Sequence, residues 1–355
     1  AGDVAMRVLL TGAAGFVGGQ VAAALAEAGH QVVGVDALIP QAHPVGAEPP
    51  AGVVRLDVRD AAGLDELLTG VDVVCHQAAM VGNGVDVTDF PEYASHNDLG
   101  TAALLAAMAR AGVDRLVLAS SMVVYGGGRY RCPDHGVVVP APRRVAELDA
   151  GVFDHRCPSC EALVGWEPVD ESAPLRPRTA YAASKVAQEH YAVAWCTLRS
   201  ARAVALRYHN VYGPGLPADT PYAGVAAIFR SAVARVESPR VFEDGRQTRD
   251  FVHVTDVAAA NVAAVEAVTA HPVGLTAYNV CSGQPRTVGD LAAAIASGGG
   301  GPEPVVTGAY RPADVRHVVA SPDAARSGIG FEARIAPDVG LKELATAPLR
   351  PTTRH

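Results

Sequence analysis

The 355-residue chain is predicted to adopt an α/β fold, in which a doubly wound parallel sheet carries helices on both faces. Up to residue 120, short runs rich in Val and Leu alternate with longer stretches that carry Ala and Leu at helical spacing. Such runs are typical of strands buried on both faces of a parallel sheet. After Arg207, Pro- and Gly-rich pieces interrupt the alternation, which predicts a smaller mixed α/β domain at the carboxyl ends of the strands.

The predicted elements follow one another in the order that a doubly wound sheet requires. Strands are predicted at Arg7–Thr11, Gln31–Asp36, Val53–Leu56, Val71–His76, Arg115–Ser120 and Ala203–Arg207. Helices are predicted at Val17–Ala28, Leu99–Ala111, Thr179–Arg199, Val225–Val236 and Val254–Val268. Residues 126–178 differ from the rest, since they are rich in proline and show little periodicity, and we expect them to form an insertion.

Composition and charge limit the classes of protein that fit this chain. Hydrophobic residues make up 49% and charged residues 19%, yet no apolar run reaches the roughly 18 residues that a membrane span needs. The net charge of −8 argues against a partner that is nucleic acid or an anionic membrane, because phosphates need a basic face. No secretory leader pattern opens the chain, so we expect a cytoplasmic protein with reduced cysteines.

A glycine-rich turn follows the first predicted strand. The segment MRVLLTGAAGFVGG places Gly12, Gly15 and Gly18 between this strand and the next helix. Glycines there permit a tight turn and a close approach of phosphate, and the helix N-terminus offers free N–H groups. A GxxGxxG triple alone is also compatible with a plain structural turn, but the strand before it and the helix after it favour a dinucleotide site.

An acidic residue at the end of the second predicted strand supports the dinucleotide site. The carboxylate of Asp36 can accept hydrogen bonds from the ribose hydroxyls and would repel a 2′-phosphate, so NAD is favoured over NADP. Asp57 and Val58 follow the third strand at the same edge of the sheet, where an adenine ring would lie.

The segment TAYAASK places Tyr181 and Lys185 one helical turn apart, so both side chains share a helix face. The Lys185 ammonium is expected to lower the pKa of the Tyr181 phenol, which would make it a general base near neutral pH. Ser120 and Ser121 end the fifth predicted strand at the ligand edge of the sheet. A hydroxyl there could bridge Tyr181 and a substrate oxygen, although a strand-end serine is often a simple loop hydroxyl.

These motifs resemble those of the extended short-chain dehydrogenase/reductases, in the group of nucleotide-sugar epimerases and dehydratases. TGAAGFVGG, HQAA, NDLGT, SSMVVYG, YAASK, RYHNVYGP, RQTRDFVHVTDVA, YNVCSG and RPADVRH stand in the order of that family. The resemblance implies a Rossmann domain that binds NAD, with further NAD contacts from Phe16, Val17, Gln77, Ala78, Ala79, Asn97, Ser120 and His209. It implies contacts to a nucleotide diphosphate-sugar from Ser121, Asn210, Arg249, Arg311 and Asp314, and a homodimer.

The resemblance also implies a division of the chain into two domains. The NAD-binding Rossmann domain is expected to comprise residues 1–207 and 250–285, with 126–178 inserted as a loop. The substrate-binding domain is expected to comprise 208–249 and 286–345, followed by a tail at 346–355.

The two residues after Ser121 distinguish the reactions of the group. The dehydratases and decarboxylases that the chain resembles carry acidic residues there, whereas this chain has Met122 and Val123, which cannot shuttle a proton. Epimerisation at carbon 4 needs no further acid, because Tyr181 takes a proton and later returns it. The resemblance therefore implies a nucleotide-sugar 4-epimerase with tightly bound NAD. A keto-sugar reductase, a nucleotide-sugar dehydrogenase and a catalytically silent NAD-binding regulatory protein remain open.

The predicted insertion contains a CxxH and a CxxC piece. They supply Cys132, His135, Cys157 and Cys160, with 21 residues between the two pieces. This spacing is typical of a structural zinc site, in which four ligands leave no position for substrate. Zinc is therefore predicted to fold the insertion rather than to take part in chemistry. A redox pair of Cys157 and Cys160, or unliganded side chains, are the alternatives, and His155 competes with His135 as a ligand.

Overall fold

A computed structural model describes residues 5–82, 86–218 and 224–350 of the chain. The strands are β1 (Arg7–Thr11), β2 (Gln31–Asp36), β3 (Val53–Arg55), β4 (Val73–His76), β5 (Arg115–Ser121), β6 (Arg129–Cys132), β7 (Gly136–Val138), β8 (Gly165–Glu167), β9 (Arg202–Tyr208), β10 (Asn210–Tyr212), β11 (Arg240–Val241), β12 (Thr248–Arg249), β13 (Phe251–His253), β14 (Gly274–Val280), β15 (Arg286–Thr287) and β16 (Val305–Val306). The predicted strands of the large sheet are therefore present, with ends that differ by at most two residues.

The helices agree with the predicted ones to a similar degree. They are α1 (Phe16–Glu27), α2 (Ala61–Leu67), α3 (Phe90–Tyr93), α4 (Gly100–Ala111), α5 (Val145–Asp149), α6 (Ala180–Arg199), α7 (Val225–Ala234), α8 (Val254–Ala267), α9 (Val288–Gly298), α10 (Asp323–Ile329) and α11 (Pro337–Leu344). A π-helical segment, Ala94–Leu99, joins α3 to α4.

Seven parallel strands form the central sheet in the order β14-β9-β5-β4-β1-β2-β3. Helices α1 and α8 cover one face, where Val21, Leu25 and Val257 belong to one fully buried cluster. Helices α4 and α6 cover the other face, where Leu104 and Met108 are fully buried in a second cluster. The predicted α/β class with helices on both faces of a parallel sheet is confirmed.

A third hydrophobic cluster lies outside the large sheet. It is formed mainly by α7, α9 and α11, and the two-stranded sheets β10-β13, β11-β16 and β12-β15 lie in the same part of the chain. Residues 346–350 belong to the predicted tail, 346–355. Arg350 forms a parallel bridge with Pro217, and Leu349 packs against the third cluster.

The segment 126–178 contains more regular structure than its sequence indicates. Strands β7, β6 and β8 form a small antiparallel sheet, and α5 follows β7. Gly136, with φ of +68°, allows the tight turn between β6 and β7. Each of these strands has only three or four residues, too few for a pattern with a period of two to be recognised.

Candidate active site

A cavity of about 240 Å³ opens at the carboxyl edge of the central sheet. We call it the sheet-edge cavity. Fourteen of the residues predicted to contact NAD line it, namely Gly12, Gly15, Phe16, Val17, Gly18, Asp36, Asp57, Val58, Gln77, Ala78, Ala79, Ser120, Tyr181 and Lys185. Residues at the ends of five neighbouring strands, β1 to β5, and on α6 thus converge on one cavity, as the topology of a doubly wound sheet requires.

Two glycines of the turn after β1 are required by close backbone contacts. A Cβ on Gly12 would lie 2.7 Å from the backbone nitrogen of Ala78, and the φ of Gly12 is +68°. A Cβ on Gly18 would lie 1.8 Å from the carbonyl oxygen of Gly12. The turn therefore packs directly on the start of α1 and leaves the N-terminus of this helix open to the cavity, an arrangement that suits a pyrophosphate.

The carboxylate of Asp36 is fixed at the end of β2. Its two oxygens accept hydrogen bonds from the backbone N–H groups of Ala14, at 3.0 Å, and Leu38, at 2.8 Å. The Nε2 atom of His43 lies 3.6 Å from the same carboxylate. Because each carboxylate oxygen has more than one lone pair, Asp36 can still accept hydrogen bonds from ribose hydroxyls.

Tyr181 and Lys185 lie in the first turns of α6, which begins after Thr179. The Thr179 side chain accepts a hydrogen bond from the backbone nitrogen of Ala182 and caps the helix. The Tyr181 hydroxyl is hydrogen-bonded to Ser121, and the Nζ atom of Lys185 lies 5.8 Å from the centre of the tyrosine ring. The predicted grouping of these three side chains is therefore present in the structure.

The pKa values of this group differ from the sequence-based expectation. Burial raises the pKa of Tyr181 to about 12, against a smaller lowering by the hydrogen bond from Ser121. Burial also lowers the pKa of Lys185 to about 7, against a raising by Glu189. Lys185 donates to the carbonyl oxygen of Ala119 at 2.9 Å. The net shift of the Tyr181 pKa is therefore upward, opposite to the sequence-based expectation, because burial of the phenol outweighs the interaction that lowers it.

A buried ion pair connects α6 to β9 next to Lys185. Arg207 on β9 binds Glu189 through two hydrogen bonds of 3.0 and 2.8 Å, and both side chains are at most 5% exposed. The Ser120 hydroxyl donates to the same carboxylate at 2.6 Å. Glu189 lies one helical turn after Lys185, so this pair connects α6 to the ends of β5 and β9.

Two predicted NAD residues do not line the sheet-edge cavity. Asn97 is fully buried, and its side chain bonds both backbone groups of Met80 and the hydroxyl of Ser184. His209 is also buried, and its Nε2 atom lies 3.5 Å from Asn279. Asn97 instead orients the backbone that follows β4.

The predicted substrate residues occupy different environments. Asn210 has a buried side-chain oxygen that has no hydrogen-bond partner among the described residues. Three donors of the Arg249 guanidinium are directed at backbone carbonyls, those of Thr248, Val315 and Arg316. Arg311 and Asp314 are exposed. The bonds of Arg249 connect β12 to the segment that carries Arg311 and Asp314.

The four predicted metal ligands converge, although 21 residues separate the two pieces. One ligand atom from each of Cys132, His135, Cys157 and Cys160 lies within 4.8 Å of all the others. The distances are 3.5 Å from Cys132 Sγ to His135 Nδ1, 3.6 Å from Cys132 Sγ to Cys160 Sγ, and 3.6 Å from Cys157 Sγ to His135 Nδ1. His155 does not belong to this group, since its ring packs edge-on against that of Tyr130, with 4.9 Å between the ring centroids.

These distances fit a tetrahedral zinc ion. Bonds of about 2.3 Å to sulfur and about 2.0 Å to nitrogen place neighbouring ligand atoms roughly 3.5 to 3.8 Å apart. The hydrogen bond from His135 lowers the pKa of Cys132 to about 6, which favours the thiolate that binds metal. The donor set and its spacing are therefore compatible with a closed structural site.

The sheet-edge cavity has further lining residues that sequence reasoning missed. His43, His96, Pro217 and Arg350 are among them. His43 lies in an irregular loop after β2, and Arg350 lies 314 positions after Asp36, so neither belongs to a motif of fixed spacing. No signal in a single sequence would have placed them at the cavity.

Comparisons with known proteins agree with this site. The family model described as the NAD dependent epimerase/dehydratase family matches residues 8–144 and 157–281, and so passes over 145–156 within the predicted insertion. A dTDP-L-rhamnose 4-epimerase of Burkholderia thailandensis is 35% identical over 96% of this chain and 94% of its own length. A UDP-glucose 4-epimerase of Mycolicibacterium smegmatis is 31% identical over 95% of this chain and 96% of its own length.

Solved structures extend the similarity. A UDP-glucose 4-epimerase from Thermotoga maritima, solved with UDP-glucose, superposes with a TM-score of 0.77 at 26% identity and covers 96% of this chain and 97% of its own. A UDP-glucose 4-epimerase of Thermus thermophilus, solved with NAD, gives 0.73 at 29% identity over 96% and 98% of the two chains. None of the helices in the described ranges has the length and apolar character that crossing a membrane requires.

The family model matches residues 8–144 and 157–281, and the B. thailandensis relative is 35% identical over 96% of the chain. The chain therefore belongs to the NAD dependent epimerase/dehydratase family.

Proposed function

We propose that this protein is an NAD-dependent nucleotide-sugar epimerase that inverts carbon 4. The observation that carries the proposal is that Tyr181 and Lys185 line the sheet-edge cavity, with Ser121 next to the Tyr181 hydroxyl. Neither Met122 nor Val123 supplies an acid beside it. The relatives named as 4-epimerases cover nearly the whole chain, which supports the same reaction here.

Different residues of the site have different roles in this reaction. The residues that line the sheet-edge cavity, among them Gly12, Asp36 and Lys185, would hold NAD, which would supply reversible hydride acceptance at carbon 4. Tyr181 takes the proton of the hydroxyl on that carbon and gives it back, so no additional acid is needed. Ser121 is hydrogen-bonded to Tyr181 and orients the same hydroxyl. Because burial raises the pKa of Tyr181 to about 12, a positive charge beside the phenol must favour its ionised form, and both Lys185 and the oxidised nicotinamide are suited to supply one.

Substitution of Tyr181 tests this mechanism. Tyr181→Phe is expected to abolish turnover while the purified protein keeps its NAD, because only the hydroxyl is removed. Unchanged turnover would contradict the mechanism. In the wild-type protein, NADH that accumulates in step with substrate would instead favour a dehydrogenase, and purified protein that neither contains nor binds NAD would favour the silent regulatory alternative.

A panel of nucleotide sugars tests which substrate is used. The B. thailandensis relative is named for dTDP-L-rhamnose and several others for UDP-glucose, so both compounds belong in the first panel. The products are identified by NMR, in which inversion at carbon 4 changes the coupling constants of the ring protons. A keto-sugar reductase would consume NADH without an inverted product.

We also propose that Cys132, His135, Cys157 and Cys160 hold a structural zinc ion. Four ligands would close the coordination sphere, so the ion would stabilise the insertion and take no part in the sugar chemistry. Metal analysis of protein purified without chelator is expected to give one zinc per chain, and Cys157→Ser with Cys160→Ser should remove it. Cys281→Ala is the control, since this buried cysteine lies outside the cluster. Zinc well below one per chain, or zinc retained in the double variant, would refute the site.

The insertion is fixed to the segment that carries two predicted substrate residues. Arg143 donates to Glu243 at 2.6 Å and to the carbonyl oxygen of Asp314 at 2.9 Å. Asp154 accepts a hydrogen bond from Arg316 at 2.8 Å. Loss of zinc should therefore raise KM for the nucleotide sugar more than it lowers kcat, because the catalytic group belongs to other elements.

We also propose that the protein forms a homodimer in the cytoplasm. Tyr191 and Leu198 are 46% and 83% exposed and lie on one face of α6. Leu99, which directly precedes α4, is 55% exposed. A second copy of these helices would cover such side chains. Light scattering is expected to give twice the monomer mass, and Leu198→Glu should reduce it to one chain.

A further inference from the structure

The last described residues of the chain return to the sheet-edge cavity. Residues 348–350 pair with residues 215–218, which follow β10. The backbone nitrogen of Gly215 donates to Pro348 at 2.9 Å, that of Arg350 to Leu216 at 2.9 Å, and that of Ala218 to Arg350 at 3.1 Å. This pairing holds the segment in an extended conformation.

The same segment is anchored by side chains. Ala347 and Leu349 pack against the hydrophobic cluster of α7, α9 and α11. The Arg230 guanidinium on α7 donates to the carbonyl oxygen of Ala347 at 3.0 Å. Residues 347–350, which we call the C-terminal strap, are thus fixed to an element outside the central sheet.

The C-terminal strap contributes a charged residue to the sheet-edge cavity. Arg350 and its bridge partner Pro217 both line the cavity, together with Asp36 at the end of β2. Burial lowers the pKa of Arg350, whereas the carboxylate of Asp36 raises it. Arg350 therefore lines the same cavity as the side chain expected to bind the adenosine ribose, although Arg350 and Asp36 belong to opposite ends of the sequence.

We infer that the C-terminal strap retains NAD in the sheet-edge cavity and that Arg350 is the residue through which it does so. This inference rests on the proposed function, because a 4-epimerase returns hydride to the same substrate molecule and must keep the reduced cofactor between the two transfers. The central sheet supplies one side of the cavity, and the strap closes it from another part of the chain. Release of NAD would then require the backbone pairing of residues 348–350 with 215–218 to open.

Cofactor retention without any sugar tests the inference. Wild-type protein, Arg350→Ala and Arg350→Lys are loaded with NAD and passed repeatedly through gel filtration, and bound NAD is then measured by enzymatic cycling after acid extraction. Arg350→Ala is expected to lose most of its NAD and to release it at least about tenfold faster, as loss of a charge-assisted contact implies. Arg350→Lys should lie between the two. Arg326→Ala on α10 is the control, because Arg326 is exposed and lies outside the cavity.

The outcomes separate this inference from the proposed function. Wild-type retention and release rate in Arg350→Ala would overturn the role of Arg350. A selective loss of NADP affinity, with unchanged NAD retention, would assign Arg350 to a 2′-phosphate and would also overturn it. A chain that ends at Thr346 should lose NAD like Arg350→Ala, and comparison of the cofactor-free melting temperatures shows whether it still folds. Failure of wild-type protein to epimerise any sugar would refute the proposed function but leave these measurements intact.

Discussion

The buried pair of Arg207 and Glu189 gives the sharpest test of how the catalytic helix is held. The two side chains are 5% and 3% exposed, and two hydrogen bonds of 3.0 and 2.8 Å connect them. Arg207→Met leaves the Glu189 carboxylate buried without its ionic partner. Removal of one member of such a pair costs about 3 to 5 kcal/mol of the free energy of unfolding.

The double variant refines this prediction. Glu189→Met alone leaves Arg207 with only the Tyr125 hydroxyl, at 3.0 Å, and the carbonyl oxygen of Glu171, at 3.2 Å, and should cost a similar amount. Arg207→Met with Glu189→Met replaces both charges by apolar groups, which is often nearly neutral for a buried pair. The Ser120 hydroxyl would still lose its acceptor, at a cost of about 1 kcal/mol. Because each single variant is expected to lose at least about 3 kcal/mol and the double variant only about 1 kcal/mol, we expect a coupling energy of about 5 kcal/mol.

Urea denaturation of NAD-free protein, followed by circular dichroism, measures all four members of the cycle. Arg110→Met is the control, because Arg110 and Asp65 form a pair in which both side chains are about half exposed, worth under about 1 kcal/mol. Additive effects of the two single variants, or a loss below about 1 kcal/mol for Arg207→Met, would refute the reasoning.

Two further predictions concern the turn after β1 and the response to acid. Gly18→Ala should abolish NAD binding, because its Cβ would lie 1.8 Å from a backbone oxygen. Gly19→Ala is the control, since its Cβ would lie 3.8 Å from the nearest backbone atom, and it should bind NAD normally in calorimetry. Equal binding by the two variants would contradict the packing of the turn. Burial lowers the pKa of His76 to about 3 and those of His155 and His209 to about 4. The unfolded chain binds these protons below pH 6.5 and the folded chain does not, so stability should fall from pH 6.5 toward 4, by up to about 2 kcal/mol per histidine at pH 5. His209→Asn should reduce this loss by about a third in urea titrations, and an unchanged loss would contradict the assignment.

The strands and the cofactor turn could be predicted because their signals are local. Short Val-rich runs and the glycine spacing at Gly12, Gly15 and Gly18 depend on neighbours in sequence, and the structure places both where the pattern indicates. Tyr181 and Lys185 also belong to one helix turn, so their grouping follows from helical geometry. The Cys/His pieces are two local pairs whose mutual approach the sequence could only suggest.

The rest of the site depends on contacts between distant segments. The Arg207–Glu189 pair joins a strand to a helix, and either residue alone resembles an ordinary charge. Arg350 reaches the cavity only because residues 348–350 pair with 215–218. Tyr181 and Lys185 show the same limit for electrostatics, since burial raises the pKa of the phenol and lowers that of the ammonium, and burial is a property of the tertiary structure. Such features can be recognised only from the tertiary structure.

The ends of the insertion explain how a long segment can separate Ser121 from Tyr181 without disturbing them. The backbone nitrogen of Arg176 donates to the carbonyl oxygen of Val124 at 2.8 Å, and a Cβ on Gly126 would lie 2.1 Å from the carbonyl oxygen of Arg176. The chain therefore leaves and returns at one point, and the entropy of closing such a loop grows only slowly with its length. Changes within the insertion can then alter its contacts to residues 311–317 while the geometry of Ser121 and Tyr181 is kept. With Arg311 and Asp314 assigned to the substrate as proposed, variation in substrate choice would arise separately from the proton and hydride transfers.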